Sequence, residues 1–480
     1  MFSRPLKPDS ICLRRLVIFL GLGWSVAFVA LALANQLELY GDGAMFSYAV
    51  AVRDVWAFHW HNISGRMAVY LLTLLPAEML VGLTGNPWAG IIAYGAVFYI
   101  APLVGLVLTY AADRSQGRLL FVYACGSTAL LCPLIFGFPT EMWFAHAIFW
   151  PTLALSHYAK PTLAGAVLVL VAWVLLAFCH EGALVLLLAI LGTLALRGLR
   201  SKVFLRGALT LAIVMTLAIA AKVFLPPDSY YADAFVRAAL HFFDPELFKV
   251  EVVVSLLSAI AAYAVIHVAI SRWNPQRACI VALVAVFGLL SIYWIGFDDA
   301  IHANSRYYLR TALVLATPLL GGLAALAAMT REGIVFARLG RLQKAITTPS
   351  KRSLCAGASI FAVVFAINIV QTSKFIAGWS AYRNAIAALA MSDEADASLG
   401  SAEFVSSRRL SPSLERLAWF STIPYLSIIL ADFSPKRLVI DPKGNYFWLS
   451  CETATRNKDA KLAVPEQTRE LVRVYSCLHR

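Results

Sequence analysis

The chain has 480 residues, 60% of them hydrophobic and only 14% charged, against roughly 45–50% and about 25% in soluble domains. That balance excludes a soluble globular protein and describes one built for a membrane. The net charge of +13 would point to nucleic acid in a soluble chain, but much of the Lys and Arg falls in short connections between apolar runs, as helix orientation in membranes requires; no nucleic-acid partner is expected.

In chain order, Arg4, Lys7, Arg14 and Arg15 precede the first apolar run, 16–34. This run is long for a signal core and many others follow, so an uncleaved anchor is expected, although Ala32-Leu33-Ala34 has the small-residue pattern of a cleavage site. Runs at 88–110, 119–137, 207–225, 251–270, 278–295, 311–329 and 354–371 approach the ~20 residues needed to cross the hydrocarbon core. Basic clusters at Arg114/Arg118, at Arg197, Arg200, Lys202 and Arg206, at Arg272/Arg277 and at 331–352 are placed in the cytoplasm, which requires 147–159, 162–179 and 182–196 to be short spans. Segment 66–83, interrupted by Pro76 and Glu78, makes one crossing too many and is expected to be re-entrant. The predicted fold class is an all-α polytopic membrane protein of about 11–12 transmembrane helices, multi-pass in the cell inner membrane.

From 372 the composition turns polar, with strand-like RLVID (437–441) and NYFWLS (445–450) separated by Pro442-Lys443-Gly444. The expected division is a transmembrane domain, 1–371, and a small extracytoplasmic α/β appendix, 372–480. Cys125, Cys132, Cys179, Cys279 and Cys355 lie in or beside apolar spans and read as small hydrophobic filler. Cys12 is assigned to the cytoplasm, and Cys451 and Cys477 can pair only if the tail faces an oxidising compartment.

Charged groups at spans are costly unless they face a polar cavity, and here they gather on the outer side. Glu38, Asp42 and Asp54 occupy the first outer loop, followed by His59, His61 and Arg66, then Glu141 and His146, then His180 and Glu181, then Asp298, Asp299, His302, Arg306 and Arg310. Asp42, between Gly41 and Gly43, is a candidate general base or the cap of a following helix. Residues 44–60 predict an amphipathic interfacial helix roofing the site, with Asp54 a second acid or a solvated one. Arg66, ending HWHNISGR, suits phosphate recognition or snorkels. Glu141 with His146, and His180 with Glu181, raise a divalent cation, but two ligands are few, and adjacent helical residues point about 100° apart. Arg306 and Arg310, one turn apart, can face one anion or anchor the interface.

This ordered set resembles the GT-C class of membrane glycosyltransferases, in particular bacterial families akin to the serotype-converting O-antigen glucosyltransferases. The match over roughly residues 10–370 comprises the acidic first loop, Ser64-Gly65-Arg66, Glu141 with Trp143, His180-Glu181 and the Arg306/Arg310 edge. The resemblance implies a sugar on polyprenyl phosphate as donor, an envelope glycan or lipid acceptor outside the cytoplasm, Asp42 as base, and Arg66 with Arg306 or Arg310 on the leaving phosphate. Many members pair acids in the first loop, whereas Asp42 has glycine neighbours. Two other readings share the cations and acids: a transporter or flippase of lipid-linked saccharides, with midplane charges and inverted repeats, and an O-antigen ligase or polymerase, with its site in one large outer loop.

Overall fold

The computed structural model of the protein describes residues 8–53, 55, 65–131, 141–224, 251–274, 277–297, 306–336, 338–393, 404–419 and 422–441; of 306–312 it describes the backbone alone. A chain without water to bond its amides must close its hydrogen bonds locally, and the apolar runs accordingly fold as helices. They are α1 (Pro8–Ala34), α2 (Asp42–Ala51), α3 (Gly65–Thr84), α4 (Pro87–Ala112), α5 (Leu119–Leu131), α6 (Glu141–Tyr158) and α7 (Leu163–Ala177). They continue as α8 (Ala183–Ala195), α9 (Lys202–Phe224), α10 (Glu251–Ser271), α11 (Ala278–Gly296), α12 (Arg306–Arg331), α13 (Gly340–Thr347) and α14 (Lys351–Ala390). Eight, namely α1, α3, α4, α9, α10, α11, α12 and α14, are long and apolar enough to cross a membrane.

Within these helices the hydroxyls of Ser25, Thr73, Thr109, Thr152, Ser156 and Thr210 donate to the carbonyl four residues back, so no hydroxyl of this set needs water. Small residues let the backbones approach. A methyl group at Gly21 would stand 2.6 Å from the Cys125 carbonyl oxygen, joining α1 to α5, and one at Gly105 would stand 2.3 Å from that of Ala147, joining α4 to α6.

Two clusters of polar contacts mark the ends of the bundle. At one, here the acidic end, Arg66 of α3 meets Glu141 at the start of α6 and Glu181 in the turn between α7 and α8. At the other, the basic end, Arg197 beyond α8 bonds Glu332 beyond α12 at 2.8 Å, Tyr158 of α6 bonds the same carboxylate, and Arg14 near the start of α1 donates to the Gly117 carbonyl beyond α4. Helix α3 is about 30 Å long, yet both its ends lie at the acidic end. Arg66 is there through Glu141, and Thr84 leads through Gly85 and Asn86 into α4, whose early residues meet the first loop: a methyl at Gly95 would touch Glu38 and one at Gly90 would touch Val50. The expected non-crossing of 66–83 therefore has a geometric basis, but the segment is one unbroken helix. A wide π turn at Tyr70–Leu74 precedes Pro76, whose ring would otherwise press on the carbonyl four residues earlier. With α3 set aside, eleven described helices run lengthwise (α1, α4 to α12 and α14), so the chain enters at the basic end and leaves at the acidic one.

The last of them, α14, does not stop where the apolar run does: it spans 40 residues, about 60 Å, and carries the chain to Ala390, past the expected boundary at 372. Beyond it, β1 (Phe404–Ser406) pairs in parallel with β2 (Leu438–Ile440), Phe404 opposite Leu438, with α15 (Pro412–Glu415) and α16 (Ile423–Leu430) between them. The strand expected at 437–441 is present, but its partner is 404–406, whose three residues were too few to signal a strand; 445–450 lies outside the described residues. The expected amphipathic roof is also different. Helix α2 ends at Ala51 and Gly43–Ala51 are all buried, because α4 covers one side and α16 the other, with Tyr425 against Tyr48 at 5.2 Å between ring centroids. It is an inner strut, not an interfacial helix.

Single cysteines placed at Asn35 and Gly85 in a cysteine-free background are expected to react with a membrane-impermeant maleimide from the same side, and one at Gly117 from the other. Opposite-side labelling at Asn35 and Gly85 would mean that α3 crosses.

Candidate functional site at the acidic end of the bundle

The first loop is built to turn tightly and present an acid. Gln36 sits at φ 51°, Leu37–Leu39 forms one 3-10 turn, and Gly41 at φ 60° reverses the chain into α2. A left-handed φ suits glycine, so Gly41 is there for the turn. Asp42 is then the first residue of α2, half-buried, where the partial positive charge of the helix start favours its ionised form. The helix-start role and an acid available to a ligand are compatible in this geometry.

Glu38 is placed differently. It is fully buried, and Gly95 of α4 makes the space: a methyl there would stand 2.7 Å from the Glu38 Cβ. Tyr99 Oη donates to Glu38 Oε2 at 3.4 Å, while Oε1 has no hydrogen-bond partner. Burial pushes this carboxyl from an ordinary 4.5 up to about 7, against opposing pulls from backbone bonding in its turn, from Tyr99 and from the charge of Arg383. Arg383 of α14 donates to the Asn35 carbonyl at 2.8 Å and to Gln36 Oε1 at 2.7 Å, and Trp379 donates to the same carbonyl at 3.0 Å. The long last helix thus pins the loop that carries both acids.

Arg66 is held by two carboxylates, Glu141 Oε1 at 2.6 Å and Glu181 Oε2 at 3.7 Å, with all three side chains mostly buried. One cation between two anions leaves this group with a surplus negative charge, so Arg66 is not by itself a phosphate site. His180 lies beside it with Nδ1 accepting from the Gly182 amide at 2.9 Å. The nitrogen that accepts this bond carries no proton, so the approach of Glu181 to it at 3.7 Å is not an ion pair. The separate bonding of His180 and Glu181 follows the sequence expectation. His146 does not: it lies five residues into α6, fully buried inside the bundle, 2.8 Å from Ser127 Oγ and 3.4 Å from Trp150 Nε1. Its place is an interhelical contact and not the outer surface, because the α6 helix begins at Glu141 rather than near 147.

Arg306 and Arg310 begin α12, four and eight residues before Val314, whose side chain lies 3.1 Å from where a Cβ on Gly182 would be. The backbone thus sets the start of α12 beside the Glu181 turn. Asp54, His59, His61, Asp298, Asp299 and His302 lie outside the described residues.

What sequence reasoning missed is the hub. Tyr94 of α4 is buried with the carboxylates of Glu141, Asp42 and Glu38 all near enough to act on its hydroxyl. Three acids from three separate segments converge there. The signal for Tyr94, Gly95 and Tyr99 was a pair of tyrosines flanking a glycine in an otherwise apolar run; nothing marked Arg383. Among the described residues no three His, Cys, Asp or Glu side chains gather as a metal-holding group. No protein family and no curated protein matches the chain.

Two outcomes follow. Because the folded pKa of Glu38 is raised, the native state binds more protons than the unfolded one between pH 4.5 and about 7, so the stability it contributes is present at low pH and lost as pH rises through that window. Glu38→Gln is therefore expected to flatten the melting temperature between pH 5 and pH 8 and to raise it by a few degrees at pH 8; an unchanged slope would count against the buried acid. Arg66→Leu leaves Glu141 and Glu181 facing one another in an apolar setting, a loss on the order of 2–4 kcal/mol that Glu141→Gln in the same chain should partly restore in thermal melts.

Proposed function

We propose that the protein is a membrane glycosyltransferase of the GT-C type, which moves a sugar from a polyprenyl-phosphate donor to a hydroxyl of an envelope glycan or lipid on the extracytoplasmic side of the cell inner membrane. The observation that supports this reading best is the convergence of Glu38, Asp42 and Glu141 on Tyr94 at the end of the bundle opposite the basic connections. Positive connections favour the cytoplasm, so the acidic end and the appendix are assigned to the outside.

In this reading Asp42 is the base. Its carboxylate takes the proton of the acceptor hydroxyl as the new C–O bond forms at the sugar carbon, and the bond to the phosphate oxygen breaks with its electron pair leaving on the phosphate. Developing charge on that phosphate calls for preplaced cations. Arg66 is already matched by Glu141 and Glu181, so Arg306 and Arg310 are assigned the phosphate, and the Arg66 group with His180 is assigned to neighbouring hydroxyls. Glu38, enclosed by Gly95 and Tyr99, holds the loop. A donor whose isoprenoid chain stays in the bilayer explains a site set at the ends of apolar helices.

The test compares envelope glycan masses from cells with the wild-type gene, a deletion, and Asp42→Asn at equal membrane abundance. The expected result is loss of one sugar-sized mass in both mutants, with turnover in Asp42→Asn down at least ~100-fold. Retention of that mass by Asp42→Asn would remove Asp42 as base, and an unchanged profile in the deletion would remove the transferase reading.

A further inference from the structure

At the basic end, between α12 and α14, the segment 331–352 carries Arg331, Arg338, Arg341, Lys344, Lys351 and Arg352, while its one acid, Glu332, is bonded to Arg197 and Tyr158. A string of cations serves helix orientation whether or not it is structured. This one is structured. Gln343, in the middle of α13, is buried and uses its amide fully: Oε1 accepts from the Phe336 amide at 2.8 Å, and Nε2 donates to Thr330 Oγ1 at 2.8 Å and to the Ile334 carbonyl at 2.9 Å. Arg331 adds a bond to the Thr347 carbonyl at 3.2 Å, closing the last turn of α13 onto α12. These bonds fix how α13 is rotated. With Gln343 turned inward, Arg341, Leu342 and Lys344 are turned out, and Arg338, Val335, Lys351 and Arg352 are exposed beside them.

The resulting face mixes cations with bare apolar side chains, Val335 at 71% and Leu342 at 43% exposure. Solvent alone does not reward that combination, whereas a lipid surface rewards both parts: apolar groups enter the acyl boundary and cations meet headgroup phosphates. A flexible loop could follow the membrane without a clamp; a buried glutamine with three satisfied bonds is what a fixed platform needs.

We propose that α13 and its flanks form a docking surface for the anionic headgroups of the leaflet at the basic end, with Gln343 setting its orientation. Each Lys or Arg held at such a surface adds to the attraction, which falls off within a screening length. The occupant is an anionic phospholipid bilayer surface, chosen by charge and by the apolar side chains between the cations; an acidic soluble partner would have no use for Val335 and Leu342.

The experiment uses the full chain in neutral detergent micelles doped with phosphatidylglycerol or with phosphatidylcholine, read by thermal melting. Phosphatidylglycerol is expected to raise the melting temperature of the wild type by several degrees more than phosphatidylcholine. That excess should vanish in R338Q/R341Q/K344Q and shrink in Q343L, which keeps every charge but frees the helix. Because the triple variant can fail to insert, a second arm leaves the protein intact and raises salt to about 1 M, where screening acts within about 3 Å; the excess should collapse there too. Equal shifts from the two lipids in the wild type, or an excess that survives high salt or Q343L undiminished, would overturn the proposal.

Discussion

A guanidinium placed among apolar helices must bring its counter-charges with it, and the acidic end of this protein is organised by that requirement. Arg66 is satisfied by carboxylates from two other segments. Since an unpaired charge there would cost several kcal/mol, the starts of α3 and α6 and the turn between α7 and α8 are held together wherever Arg66 is held. The Ala68 amide bonds the Phe178 carbonyl at 3.1 Å in the same place, so the ion pairs come with a backbone clasp. Because Glu141 also acts on Tyr94, the clasp extends to α4 and from there to the first loop.

The first loop has its own constraint, which comes from the opposite direction. Glu38 can be buried only because Gly95 has no side chain, and the loop can stay tight only because Arg383 and Trp379 hold Asn35. These contacts tie the start of the chain to a helix more than 340 residues later. They explain why α14 outlasts its apolar run: the extra turns carry no membrane span but carry the two side chains that fix the loop, and Tyr40 packs edge-on against Phe375 and Trp379 in the same stretch.

Much of this was legible in the sequence where the signal is local. Apolar run length gave the helices, including the short α7 and α8, and charge asymmetry gave two ends of opposite character. Parity singled out 66–83 as the segment that does not cross, although an unbroken helix, eased past Pro76 by a wide turn, was not foreseen. What escaped depends on partners far along the chain. Helix α2 reads as amphipathic only if α16 is ignored, and the start of α6 reads as an outer loop because Glu141 looks too polar for a buried helix until Arg66 is beside it. Tyr94 is invisible for the same reason, since a tyrosine in an apolar run has no meaning until three acids are brought to it.

The two first-loop acids, four residues apart, show how burial assigns different tasks to similar groups. Asp42 stands at a helix start, half-buried, where fixed dipoles favour its charge; Glu38 lies in a closed notch whose low polarity favours its proton. A base must hold a lone pair ready and reach a ligand, and Asp42 meets both conditions in place. Glu38 meets neither while Gly95 and Tyr99 enclose it, yet as a neutral acid it can lie against Tyr99 without bringing a second full charge next to Asp42 and Glu141. If both first-loop acids were ionised, the convergence on Tyr94 would be a cluster of mutually repelling anions with Arg66 already matched. A protonated Glu38 is what allows the other carboxylates to stay charged at one site.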